Sequence, residues 1–193
     1  MFDIPCVILC GGKSSRMGED KALLPFSSKP TLTQYQYDRL KPYFKNVYIS
    51  SKIDKFNFNV NLILDKETVY SPIAALKTIF EKLKDESKVF IITVDTPLVN
   101  IATIEKLIKE SSTYDITVAQ TKRTHNLCGV FNPKCLSQIN KMLEKDIHKV
   151  GFLLKNMETK CVLFNDEDEF INLNDKQEYS RAKSFISWTN NYN

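Results

Sequence analysis

A buried-type strand that stops at a glycine pair constrains the fold of this chain most strongly. Val7-Ile8-Leu9-Cys10 is apolar and runs directly into Gly11-Gly12-Lys13-Ser14-Ser15-Arg16-Met17-Gly18-Glu19-Asp20-Lys21. Three of the five glycines fall in that loop, together with Lys13, Arg16 and Lys21. Glycine lets backbone N–H groups approach a ligand closely, and amides flanked by Lys and Arg are what a phosphate chain requires. Such a loop at the carboxyl end of a first strand predicts an open α/β sheet that binds its ligand at the strand ends.

The remaining pattern agrees. Thr31 with Gln34 forms a capping-box signal for a helix over 31–44, followed by strands at 47–50 and 60–64. Pro72 opens a helix to about residue 84. Val89-Phe90-Ile91-Ile92-Thr93-Val94 reads as a strand buried on both faces, as in a parallel sheet, and it ends at Asp95-Thr96-Pro97. A helix over 101–110 and strands at 116–119 and 127–131 come next, then helices over 132–145 and 149–157. Short strands at 161–164 and 170–173 precede a last helix from Asn174 to about Trp188 and a polar tail that frays. Strand–helix alternation predicts α/β architecture, and the closely spaced later strands predict a mixed extension. The expectation is one doubly wound domain over 1–193, its sheet predominantly parallel with helices on both faces.

Bulk properties narrow the partners. A net charge of +4, spread along the chain, suits an anionic small molecule and lacks the dense basic face of a nucleic-acid binder. Five scattered cysteines without a C-x-x-C pair fit free thiols in a reducing compartment, not a disulfide framework or a zinc site. No window is apolar over the length of a membrane span, and the amino terminus does not read as a signal peptide. A monomeric cytoplasmic protein is expected.

The strand ends gather Leu9 to Lys21, Ser50-Ser51-Lys52, Asp65 and Asp95. Two lone carboxylates facing a cationic glycine loop suit a Mg²⁺-nucleotide, one carboxylate holding the metal while the cations neutralise phosphate. Each Asp read singly is as well explained as a turn residue. Spacing excludes two commoner nucleotide loops. A P-loop requires glycine where Val7 stands, and a dinucleotide fingerprint requires G-x-G-x-x-G, whereas Gly11 and Gly12 are adjacent.

Leu9-Cys10-Gly11-Gly12-x-Ser14-x-Arg16-Met17-Gly18-x-Asp20-Lys21-x-Leu23-Leu24 resembles the signature of the molybdenum cofactor guanylyltransferases. These belong to the wider nucleotidyltransferases with a Rossmann-like sheet. Asp65 to Ala75, Asp95-Thr96-Pro97 and Phe170-Ile171-Asn172-Leu173-Asn174 resemble further family segments in the same order. Cys10 replaces a usual Ala, Ser71 a usual Gly, and Ser50-Ser51-Lys52 a stretch that often holds Asn. His125-Asn126-Leu127 stands for a frequent His-Pro-Leu.

The resemblance implies transfer of GMP from GTP to the phosphate of molybdopterin (Mo-molybdopterin), with an N-terminal nucleotide half and a C-terminal acceptor half. Backbone N–H groups at Cys10, Gly11, Gly12 and Lys13 would hold the triphosphate, next to Leu9. Arg16 and Lys21 would neutralise developing charge, Asp95 would bind Mg²⁺, and Asp65, Ser50 and Ser51 would lie on the nucleoside side. His125, Asn172 and Asn174 would face the acceptor, although Asn174 also reads as a helix cap and His125 as a surface residue. A phosphate-monoester nucleophile is already anionic near neutral pH, so the lack of a nucleophile–His motif is consistent. Pathway proteins or acceptor molybdoenzymes would receive the product. A cytidylyltransferase on the same cofactor is the alternative enzyme. A degenerate nucleotide-binding carrier is the alternative of another class, disfavoured by the intact Arg16, Lys21, Asp65 and Asp95.

Overall fold

A computed structural model describes residues 1–11 and 19–191. Seven strands form one sheet: β1 (Cys6–Leu9), β2 (Val47–Ser51), β3 (Asn61–Leu64), β4 (Val89–Thr93), β5 (Ile116–Gln120), β6 (Thr124–Phe131) and β7 (Thr159–Leu163). Their order is β3-β2-β1-β4-β6-β5-β7. Only β6 runs antiparallel to its neighbours β4 and β5. The helices are α1 (Leu32–Leu40), α2 (Pro72–Lys82), α3 (Ile101–Lys109), α4 (Leu136–Glu144), α5 (Val150–Lys155) and α6 (Lys176–Asn191). No described helix is long and apolar enough to cross a membrane.

Side chains of one strand alternate between two cores, which is why β1 and β4 are apolar throughout. Cys6 and Ile8 of β1, with Phe90 and Ile92 of β4, pack beneath α1, α3 and α6. Val7, Leu9, Val89 and Ile91 pack on the opposite side with α2, α4 and α5. The chain leaves β1 for β2 on one side and later returns with β4 on the other side of β1. That reversal opens a crevice at the carboxyl ends of β1 and β4.

Four departures from the sequence reading have a physical reason in the fold. Pro42 removes an N–H, so α1 stops at Leu40 and not at 44. Asn132-Pro133 opens a 3-10 turn, Pro133–Cys135, and α4 starts only at Leu136. β6 begins at Thr124, three residues ahead of its apolar part, because its polar start lies in the functional cleft and not in a core. The strand expected at 170–173 is a 3-10 turn, Asp168–Phe170, followed by irregular chain. Its amides bond elsewhere: Leu173 N–H donates to Asp95 O (2.8 Å) and Asn174 N–H to Asn172 O (2.8 Å).

Candidate active site

The crevice holds a cluster of three side chains brought from distant segments. A 3-10 turn, Lys21–Leu23, begins where Asp20 accepts from Ala22 N–H (3.0 Å), and it carries Lys21 inward. Lys21 Nζ lies 3.3 Å from Asp95 Oδ2 and donates to Asn174 Oδ1 at 3.1 Å. Asp95 follows β4, and its other oxygen, Oδ1, is buried without a hydrogen-bond partner among the described residues. Asn174 is free for this contact because Asp175 caps α6, accepting from Gln177 N–H and Glu178 N–H, each at 2.8 Å. Leu173 N–H on Asp95 O ties the same segment to the β4 turn.

Lys21 and Asp95 of this cluster line a cavity of about 150 Å³, with Leu9, Cys10 and Gly11 on one wall and Leu127 on another. It is the waist between two wider lobes, of about 300 Å³ and about 340 Å³. Gly11, Pro72 and Ala75 border both the waist and the first lobe; Thr93, Asp95 and Leu127 border both the waist and the second.

The first lobe lies over β2 and β3 and is lined by Ser50, Ser51, Lys52, Asp65, Tyr70 and Ser71 among others. Asp65 is buried and fully engaged. Its Oδ2 pairs with Lys52 Nζ at 2.7 Å, and its Oδ1 accepts from Glu67 N–H (3.0 Å) and the Thr78 hydroxyl (3.2 Å). Lys52 also donates to the carbonyls of Glu67 and Val69, so one ammonium group gathers the 65–70 segment around the lobe. Ser71, at the start of α2, caps Ala74 N–H (3.1 Å) and lies 3.0 Å from His148 Nδ1.

The second lobe is lined by Arg123, His125, Asn126 and Asn172. The His125 ring stacks on Phe170 with centroids 4.3 Å apart, and its Nε2 lies 2.9 Å from Thr121 Oγ1. Burial, reinforced by Arg123, pushes the His125 pKa down to about 4, so the ring is neutral at physiological pH. The fixed positive charge of this lobe therefore comes from Arg123.

The structure brings together Leu9, Cys10, Gly11, Lys21 and Asp95 at the waist, Ser50, Ser51 and Asp65 in one lobe, and His125 and Asn172 in the other. Asn174 joins the waist through Lys21. Gly12, Lys13 and Arg16 lie outside the described residues. The amide of Cys10 donates to Ser50 O at 2.8 Å, so this residue supplies a wall and not a phosphate donor. Burial pushes the Cys10 thiol up to about 12, so it stays protonated and is no nucleophile. Sequence reasoning gave no role to Lys52 or to Lys55. Lys55 pairs with Asp20 and reaches Cys10 O (3.4 Å), joining the two ends of the glycine loop. Lys52 falls in the strand-end stretch 50–52 and nothing in a lysine-rich sequence marks Lys55, and the partners of both are brought near only by folding.

No three His, Cys, Asp or Glu side chains gather as a metal cluster among the described residues. A Mg²⁺ ion bound with a nucleotide does not require one, because one or two carboxylates and phosphate oxygens suffice. The partnerless Asp95 Oδ1 fits that donor set.

A parallel-sheet crevice at the carboxyl end of β1, where a glycine-rich sequence begins, with a lysine–carboxylate waist and two flanking lobes, is the arrangement of a nucleotidyltransferase. Residues 6–160 match the family described as "MobA-like NTP transferase domain". The chain belongs to that family. It is 42% identical over 186 residues to the molybdenum cofactor guanylyltransferase of Campylobacter jejuni subsp. doylei, covering 94% of this chain and 96% of the relative. It is 34% identical to the protein of the same name from Helicobacter pylori J99, covering 95% and 90%. In three dimensions it matches molybdopterin-guanine dinucleotide biosynthesis protein A from Archaeoglobus fulgidus, with a TM-score of 0.81, 15% identity and coverage of 95% and 99%. At that identity the match speaks to the fold alone.

Proposed function

We propose that this protein transfers GMP from GTP to the terminal phosphate of molybdopterin, releasing pyrophosphate, in the cytoplasm and as a monomer. The lobe over β2 and β3 takes the nucleoside, and the lobe at Arg123, His125 and Asn172 takes the acceptor. The reacting phosphates meet at the waist. The observation that carries this reading is the Lys21–Asp95–Asn174 cluster between two lobes, because a two-substrate transfer requires both ligands to reach one charged point.

An acceptor phosphate oxygen attacks the α-phosphorus, the bond from that phosphorus to the bridging oxygen breaks, and the electron pair leaves with pyrophosphate. No general base is needed, since a phosphate monoester has its second pKa near 6. Lys21 neutralises charge accumulating on the α-phosphate, and Arg16 is proposed to assist from the glycine loop. Asp95 Oδ1 would ligate Mg²⁺, which when bound supplies charge neutralisation for the phosphates. Asn174 keeps the Lys21 ammonium directed into the waist. Handover of the product to acceptor molybdoenzymes or pathway proteins is part of the same proposal.

The test is an assay of pyrophosphate and dinucleotide formation with GTP or CTP, Mg²⁺ and molybdopterin. Guanine dinucleotide is the expected product. Turnover with CTP in preference to GTP would transfer the assignment to a cytidylyltransferase, and nucleotide binding with no pyrophosphate from either would leave a carrier.

A further inference from the structure

Helix α1 touches neither lobe at its centre, yet it grips both segments that make the waist. At its first turn Leu32 N–H donates to Leu24 O (2.7 Å), and the buried Thr33 hydroxyl donates to Ala22 O (2.7 Å). These bonds hold the 3-10 turn that carries Lys21. One turn further on, Gln36 is fully buried, and its amide donates to Thr96 O at 3.1 Å and approaches Thr93 O at 3.5 Å. Another turn along, Arg39 donates to Val99 O (2.5 Å) and, through Nε and Nη2, to Gln36 Oε1 (3.2 and 2.6 Å). Thr93, Thr96 and Val99 bracket Asp95, so two side chains of α1 help to hold the turn that presents the carboxylate, together with Leu173 N–H and the Thr96 hydroxyl.

The arrangement is unusual energetically. No carboxylate pairs with Arg39 among the described residues, and burial lowers its pKa. A half-buried guanidinium bonded only to neutral oxygens is a costly way to stabilise a helix, which an apolar side chain would do as well. Its planar fork can, however, hold an amide oxygen and a carbonyl at once in fixed geometry. On a rigid helix the spacing i, i+3, i+6 of Thr33, Gln36 and Arg39 places all three on one side, as a ruler between the Lys21 turn and the Asp95 turn.

We propose that Gln36 and Arg39 are positioning residues for the transfer reaction: through α1 they set the Asp95 carboxylate against Lys21. This rests on the nucleotidyltransfer reading given above. A misplacement of about 1 Å at the waist costs roughly 10²-fold in rate. The expected result for Gln36→Leu is therefore a fall in kcat of that order, with the Kd for GTP measured without divalent ion changed less than twofold. The increment in GTP affinity that Mg²⁺ confers, read by calorimetry, should shrink. Gln36→Glu retains an acceptor for Arg39 but has no donor for Thr96 O, and should behave like Gln36→Leu. Arg39→Lys keeps charge and stem but not the fork, and should show the same split more weakly.

A merely structural role would lower the melting temperature and the binding stoichiometry together, leaving kcat per binding-competent molecule and the Mg²⁺ increment at wild-type values. That pattern, or wild-type kcat in Gln36→Leu, overturns the proposal. If Gln36→Leu does not fold, Arg39→Lys decides the matter by the same two measurements. Absence of transfer by the wild-type protein would instead count against the reaction, while the Mg²⁺ increment would still test the strut.

Discussion

Asp95 gives one carboxylate oxygen to Lys21 and holds the other buried without a hydrogen-bond partner among the described residues. A buried carboxylate oxygen in that condition is costly unless something binds it. Asp95→Asn keeps the shape but removes the charge, and should lower pyrophosphate release by roughly 10²–10³-fold and abolish its dependence on Mg²⁺. Retention of wild-type turnover would refute the metal assignment. His125 makes a second residue-level prediction. Its folded pKa is depressed to about 4 from the ordinary 6.5, so between those values the unfolded chain binds a proton that the folded protein refuses. Stability therefore falls as pH drops through that window and is insensitive to this group above it. His125→Phe keeps a ring against Phe170 and does not titrate. Urea unfolding from pH 7 to 4 should show a shallower loss of stability in the variant, and NMR should place the His125 midpoint near the lower end of the window.

Elements reach their positions through a few tight contacts that composition conceals. A Cβ added to Gly129 of β6 would lie 2.1 Å from the Thr117 carbonyl of β5, against backbone that has nowhere to move. Gly129→Ala should cost about 3 kcal/mol in a denaturant titration. The latch on the lobe over β2 and β3 is equally local. Lys52→Met strands the buried Asp65 carboxylate and releases the carbonyls of Glu67 and Val69, and should destabilise by about 3 kcal/mol. GTP should bind about tenfold more weakly, with acceptor affinity unchanged. These examples explain what the sequence disclosed. β1 and β4 were legible because both faces are buried and only apolar residues suit them. The start of β6 was not, since Thr124-His125-Asn126 face a polar lobe and carry no strand alternation. Asp65 and Asp95 could be picked out as strand-end carboxylates, whereas Lys52 could be placed at a strand end but given no partner, and Lys55 looks like every other lysine until folding supplies its partner.

The site is a trough that runs over the strand ends, and among the described residues its two lobes have no lining residue in common and meet at the waist. Lys52 and Arg123 line different lobes and have no common partner, so their effects on transition-state free energy should add within about 0.5 kcal/mol. Steady-state kinetics of Lys52→Met, Arg123→Ala and the double variant measure this directly. A larger coupling would mean that the lobes communicate. The antiparallel insertion of β6 bears on how such a protein can diversify. Because β6 runs against β4 and β5, the turn between Gln120 and Thr124 lies at the ligand end of the sheet, beside a strand that starts there. The lobe over β2 and β3 is built from parallel strands, and the connections from β1 to β2 and from β3 to β4 carry helices that are themselves part of the core. A hairpin turn carries no such burden and can change length or composition without rethreading the sheet. Descendants of this architecture are thus free to alter the lobe at Arg123, His125 and Asn172 while the lobe over β2 and β3 stays fixed.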